Sequence, residues 1–294
     1  MSALRLTGQE ETSELTRISL VYPVYSQYLH NGLLINPAYA GTREALSFFA
    51  SGRMQWAGID GAPVSQTLSL HTLLKNNHVG LGFSGQFFKY GFSRTTSVYA
   101  DYAYHIMLGK SRLSMGLRTG FDMSNTDYSG IVLINPNDPV FISNDKPYFL
   151  PNVGTGIYFS SNKFFIGAAV PAFLSYLKSS SGEISFDTFT SFDVLLTAGA
   201  LISFSPAFRI KPSVFVDYPF QESGDVRFDM NCNFILFDFL WLGASWRIYE
   251  EVAVGILQIQ LTPQIMFGYS YDYPAGKMST YSKGSHEIIF RYEF

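Results

Sequence analysis

The sequence predicts an all-β protein, a transmembrane antiparallel β-barrel of about 14 strands with short periplasmic turns and longer extracellular loops. Three observations predict it. From Ala45 onward, apolar and polar residues alternate with a period of two, so each strand has one greasy and one polar face. Hydrophobic residues make up 47% of the chain and aromatics 17%, but charged residues only 15%, against about 25% in soluble domains. Finally, tight connections alternate with the long ones along the chain. No run of about 18 apolar residues occurs, so no helix can be proposed to cross a bilayer. A closed sheet, whose backbone groups pair strand to strand, is then the remaining membrane-compatible solution. The net charge of −3 is close to neutral and no basic cluster points to nucleic acid. Cys232 is the single cysteine, which excludes a disulfide framework and a cysteine-based metal site.

The chain divides into an N-terminal segment, 1–44, expected to be periplasmic or to plug the barrel, and the barrel, 45–294. Met1 to Ile18 is polar and lacks the basic start and apolar run of a signal peptide. The leader of an exported protein is therefore expected upstream of Met1 or replaced. Val21 to Gly41 mixes aromatics with turn formers at Asn31-Gly32 and Asn36-Pro37, and reads as irregular structure with local turns. Tyr28, Leu33, Leu34, Ile35 and Tyr39 are too apolar to be left in water, so the segment is expected to pack against the periplasmic mouth, the lower lumen or another protein.

The first strand, Ala45 to Ala57, sends Leu46, Phe48, Ala50, Met54 and Trp56 to one face and Ser47, Ser51, Arg53 and Gln55 to the other. Ser65 to Leu74 and Val79 to Tyr90 form a hairpin around Lys75-Asn76-Asn77. Ser93 to Met107 sets Val98, Tyr102, Tyr104 and Ile106 against Asp101 and His105. A turn at Gly109-Lys110 leads into Arg112 to Ser124, where Leu113, Met115, Leu117 and Phe121 oppose Ser114, Arg118 and Asp122. Next come Asn152 to Ser160 and Lys163 to Ala172, then Phe192 to Phe204 and Phe208 to Tyr218. The remainder are Asp225 to Leu236, Phe239 to Tyr249, Val252 to Leu261, Gln264 to Tyr273 and the closing stretch.

That closing stretch, Gly284 to Phe294, places Ile288, Phe290, Tyr292 and Phe294 on one face and Glu287, Ile289, Arg291 and Glu293 on the other. An aromatic face for lipid and a charged face for the lumen fit the last strand of an outer-membrane barrel. An edge strand of a soluble sandwich alternates too, and the connections discriminate. The even-numbered connections are all tight, whereas Asp127 to Pro151, Ala172 to Ser191 and Pro274 to Gly284 are odd-numbered and the longest. A sandwich has no reason to obey that parity.

The stretch SQYLHNGLLINPAYAG, Ser26 to Gly41, resembles the N-terminal signature of the PorP/SprF family, outer-membrane proteins of the type IX secretion and gliding machinery of Bacteroidetes. The resemblance continues through Asp60 to Gly82, Asp138 to Phe159, Pro212 to Tyr218, Phe239 to Arg247 and Phe267 to Tyr273, and ends on the closing stretch. Asn31-Gly32 stands where members often have Asn-Pro. The resemblance implies a barrel that sits in outer-membrane lipid, works with periplasmic and lipoprotein components of the secretion system, and in some members holds a large secreted adhesin at the cell surface. It marks Tyr28, Leu34, Asn36, Pro37, Tyr39 and Gly41 as a plug or docking segment.

On the lumen-facing parity lie Arg53, Asp101, His105, Arg118, Asp122, Arg227, Asp229, Arg247, Glu287 and Arg291, an expected charge network, with Arg209, Lys211, Asp217, Asp272 and Glu293 on the same side. Mixed signs favour cross-strand ion pairs and a plugged or networked lumen over a strongly selective pore. His71, His105 and Ser114 also face inward, but an isolated histidine on a barrel's polar face is more often structural, and no enzyme is expected. No phosphate loop, EF-hand loop or zinc spacing is present, so no cofactor is expected. Gly80-Leu-Gly82 and Gly154-Thr-Gly156 lie inside strands with no helix following, and read as points of backbone crowding. A secretion-associated barrel that docks periplasmic machinery is the expected function; a passive porin or small-solute transporter is the alternative.

Overall fold

The computed structural model describes residues 16–18, 28–75, 77–127, 147–178, 184–186, 192–220 and 225–294. Fourteen antiparallel strands close on themselves: β1 Ser47–Met54, β2 Val64–Leu73, β3 Val79–Tyr90, β4 Ser93–Leu108, β5 Ser111–Thr126, β6 Tyr148–Ser160 and β7 Phe164–Val170 form the first half. The second half is β8 Asp193–Ala200, continued as Ile202–Ser205, then β9 Phe208–Pro219, β10 Arg227–Leu236, β11 Leu240–Arg247, β12 Val252–Gln260, β13 Ile265–Pro274 and β14 Ser285–Glu293. The sheet has fifteen segments because β8 breaks at Leu201, with a register shift between Ser203 and Ser205, whereas the alternation predicts one strand from Phe192 to Phe204. Closure is a continuous ladder from Ser47↔Glu293 to Met54↔His286 between β1 and β14. Phe294 extends it, its N–H donating to the Leu46 carbonyl at 2.9 Å. Each of the fourteen barrel strands thus pairs with a neighbour on either side, as a bilayer demands.

Alternation decides which face meets what. On β14, Ile288 is 61% exposed and Glu287 2%; on β5, Leu117 is 63% exposed and Arg118 6%. The outer surface is therefore the apolar one, and the interior holds the charges. Phe290 packs between Phe48 and Phe267 on the outside, with ring centroids at 6.3 and 5.0 Å, and Tyr292 meets Phe294 at 4.5 Å. The two cross-strand pairs, Phe48–Phe290 and Phe267–Phe290, add roughly 0.2–1 kcal/mol each to sheet pairing.

All six even-numbered connections are tight. Gly109 and Asn77 take φ values of +65° and +58° there, the left-handed backbone a twisted hairpin needs. Phe237 and Asp238 adopt +53° and +56°, unusual for a bulky side chain, and Asp238 is ion-paired with Arg209 on β9. Among the odd connections, Gly91-Phe92 between β3 and β4 is also short. The expected long loops lie in part outside the described residues, at 128–146, 179–183 and 187–191. Thr16–Ile18 pairs antiparallel with Tyr176–Lys178 of the β7–β8 connection, which in turn pairs with Ile184–Phe186. That part of segment 1–44 thus lies at the long-loop mouth, whereas Arg43 and Glu44 lie at the short-turn mouth beside Glu293 and Arg112.

Candidate functional site: a plug on a glycine floor

Residues 28–41 lie inside the barrel, and Arg43 and Glu44 emerge at its short-turn mouth. Three single 3-10 turns, Tyr28–His30, Gly32–Leu34 and Pro37–Tyr39, follow one another. The sequence dictates the last of them: Pro37 occupies the first helical position, where its missing N–H costs nothing, and Asn36 caps it by accepting from the Ala38 N–H at 2.9 Å. The same Asn36 side chain donates to the carbonyls of Ile157 on β6, at 2.9 Å, and Ala168 on β7, at 3.3 Å. One residue therefore folds the plug locally and ties it to the wall.

The wall beneath is floored with glycine. A Cβ on Gly116 would stand 2.1 Å from the Ala38 nitrogen, one on Gly80 2.1 Å from the Ala40 carbonyl oxygen, and one on Gly156 2.1 Å from the Asn36 Oδ1. A Cβ on Gly82 would meet Leu33 at 2.9 Å. The plug backbone lies directly on the sheet, which any side chain at these positions would prevent. Leu33, Ala40 and Ala103 form the small apolar core of this contact. Gly154 is crowded instead by the carbonyls of Val170 and Pro171.

Polar contacts fix the rest. Arg118 donates to the carbonyls of Leu33 and of Leu34, the latter at 3.0 Å, while its Nε holds Asp101 at 2.7 Å. Ser69 donates to Asn31 at 3.0 Å, and Asn231 to the Tyr28 hydroxyl at 2.7 Å. The Gly41 N–H donates to His71 Nδ1 at 3.1 Å. Arg112 caps the end of the segment by donating to the Gly41 and Thr42 carbonyls, each at 3.4 Å, and pairs with Glu44. Arg291 donates to His30 Nδ1 at 3.2 Å, a bond that requires that nitrogen unprotonated. Burial, then the neighbouring Arg291 cation, hold the His30 imidazole well below its ordinary pKa of 6.5. Burial likewise raises the Tyr28 phenol.

The residues marked by the sequence are distributed as follows. Tyr28, Asn36, Pro37 and Gly41 are buried in the plug seat, and Leu34 and Tyr39 are half-buried in it. Tyr28 and Ile35 line both an outer cavity and a pocket of about 50 Å3 nearer the short turns, so they form the partition between them. The charge residues do not make one network but several. A belt runs from Glu287 to Arg53 at 3.3 Å, on to Asp272 at 2.5 Å, to Arg247 at 2.9 Å and to Asp229 at 3.6 Å. Arg227 pairs with Asp217, and Asp101 with Arg118. Asp122 stands apart, accepting from Ser97 and Tyr99 at 2.5 Å each. His105 lies 2.7 Å from Ser114, both fully buried, with no carboxylate on the histidine among the described residues. Gly116 and Arg112 were missed as site residues in the sequence, although both fall on the inward parity of β5 with Ser114 and Arg118.

The fold is similar to that of solved outer-membrane barrels. The Ralstonia pickettii toluene transporter TbuX superposes with a TM-score of 0.54 at 10% identity, covering 89% of this chain and 93% of that one. The CymD monoaromatic hydrocarbon channel gives 0.51 at 12% identity, covering 94% and 95%. Comparison with curated proteins finds no match. The likeness to solved structures carries the fold. The family model described as "Type IX secretion system membrane protein PorP/SprF" matches residues 19–292; the chain belongs to this family and is an outer-membrane barrel of the type IX secretion system.

Proposed function

We propose that this barrel is a closed, non-catalytic anchoring subunit: it docks periplasmic or lipoprotein components of the secretion and gliding apparatus at its short-turn mouth and holds a secreted adhesin on the outer side. The observation that carries the reading is the seated plug, whose Asn36 is tied to both β6 and β7 and whose Leu33 and Leu34 carbonyls are held by Arg118. A barrel whose use were free diffusion would gain nothing from filling its lumen with its own chain. An anchoring barrel needs a rigid, sealed body that presents a fixed surface to its partners. The outer vestibule, about 530 Å3 and lined by Trp56, Tyr90, Arg247 and Met278 among others, offers mixed apolar and charged surface for a bound chain.

The test is deletion of Gln27 to Tyr39. The barrel should still insert, with either an opened lumen in planar bilayers or loss of co-purifying secretion components after mild detergent extraction. If conductance and partner recovery both match the intact protein, the segment is a spacer and the reading fails. Free conductance of the intact protein would favour a porin or small-solute transporter instead.

A further inference from the structure

A small pocket lies on the short-turn side of the partition. Its aromatic walls are Tyr39 of the plug, Tyr158 of β6 and Phe165 of β7, with the Tyr39–Tyr158 rings at 5.6 Å and the Tyr158–Phe165 rings at 6.0 Å, and Asn36 and Thr197 add polar lining. Tyr28 and Ile35 close its inner end and are buried, whereas the three walls are half-buried. Tyr158 lies two residues before the end of β6 and Phe165 is the second residue of β7, so both stand near the short turn that joins them. The opening therefore faces the short-turn mouth, and about 50 Å3 is room for one side chain, not for a metabolite.

Lys211 supplies the charge. Its Nζ lies 5.5 Å from the Phe165 ring centroid, and it has no carboxylate within ion-pair distance among the described residues. The fields of Arg43 and Arg291 reach it, and those two share a single carboxylate, Glu293, at 2.7 and 3.2 Å. Lys211, Arg43 and Arg291 therefore have a single carboxylate, Glu293, among them, in surroundings where unpaired charge is costly.

A small pocket with Tyr28 and Ile35 between it and the outer cavity, aromatic walls and one ammonium that has no carboxylate among the described residues suits the end of a chain, not its middle. We infer that it receives the apolar C-terminal residue of a periplasmic partner, whose free carboxylate pairs with Lys211 while its side chain lies between Tyr39, Tyr158 and Phe165. An internal acidic residue would leave the aromatic walls bare and need a second exit for the chain. The inference rests on the docking function proposed above and specifies its chemistry.

The test uses purified, full-length protein in detergent and two fluorescein-labelled hexapeptides ending in leucine, one with a free carboxylate and one amidated. Fluorescence anisotropy should show the acid binding about tenfold tighter than the amide, as expected for a charge-assisted contact. Lys211→Met should abolish the difference and Lys211→Arg should retain it, with heat-dependent gel mobility showing each variant folded. Equal binding of acid and amide, or an unchanged difference in Lys211→Met, overturns the pocket. Recovery from cells of the same secretion components by Lys211→Met as by the intact protein also overturns it, and leaves the docking function standing. If the intact protein recovers none while the purified protein still distinguishes acid from amide, docking fails and the pocket's chemistry stands.

Discussion

Arg118 and Asp101 face each other across β4 and β5, with Nε 2.7 Å from Oδ1, and the same guanidinium holds the Leu33 and Leu34 carbonyls of the plug. The ion pair thus orients the group that clamps the plug. Arg118→Met leaves Asp101 buried with no cation and the two carbonyls without a donor. Removing one partner of a buried pair costs about 3–5 kcal/mol. The expected outcome is a lower temperature for the heat-dependent shift on SDS gels and faster proteolysis of the plug. Asp101→Asn with Arg118→Gln should cost less than Arg118→Met; a double variant as damaged as the single one would show the pair is not the cause.

The glycine floor makes a sharper prediction, because it separates the plug from the barrel. Gly116→Ala or Gly156→Ala sets a Cβ 2.1 Å from plug atoms, whereas Gly85 has nothing within 4 Å of its Cβ position. Overpacking of this kind costs about 1–3 kcal/mol. The two seat variants should insert normally yet raise single-channel conductance or expose residues 28–44 to protease, and Gly85→Ala should do neither. Seat variants that behave like Gly85→Ala would mean the plug tolerates displacement.

Acid should loosen the plug through His30. Its folded-state pKa is depressed by burial and by Arg291, so below the ordinary value of 6.5 an exposed His30 binds a proton that the seated one refuses. The stability contributed is therefore complete above about 6.5 and declines as pH falls below it. Plug release, read as conductance at pH 7.5 and pH 5, should rise on acidification, and His30→Gln should flatten that component. An unchanged pH response in the variant would assign the effect elsewhere in the lumen.

Leu196 on β8 is 41% exposed on the outer face. Leu196→Arg should cost about 2–4 kcal/mol in barrel stability, the value for a cation on a lipid-facing mid-strand position. Ser203, where β8 meets Arg209 near the short turn, should accept arginine at much lower cost. Refolding titrations in lipid vesicles measure both, and equal costs would mean the faces are misassigned.

The sequence by itself determined the barrel. A period of two, read from Ala45 to Phe294, fixes which side chains face lipid, because a one-residue slip in any strand would turn Arg53, Asp101 or Arg247 outward. The strand number followed from tight turns such as Gly109-Lys110, whose chemistry is local. The crowding at Gly80 and Gly82 was legible for the same reason, since a side chain is missing where the face should carry one. Tertiary structure decided what those glycines crowd against, which carboxylate each arginine meets, and that Thr16–Ile18 and Glu44 lie at opposite mouths. Arg53 has Glu287 directly opposite it in the β1–β14 ladder, yet its shorter contact, at 2.5 Å, is with Asp272 two strands away. Such pairings depend on barrel curvature and strand stagger, quantities set by closure of the whole sheet and carried by no single stretch of the chain.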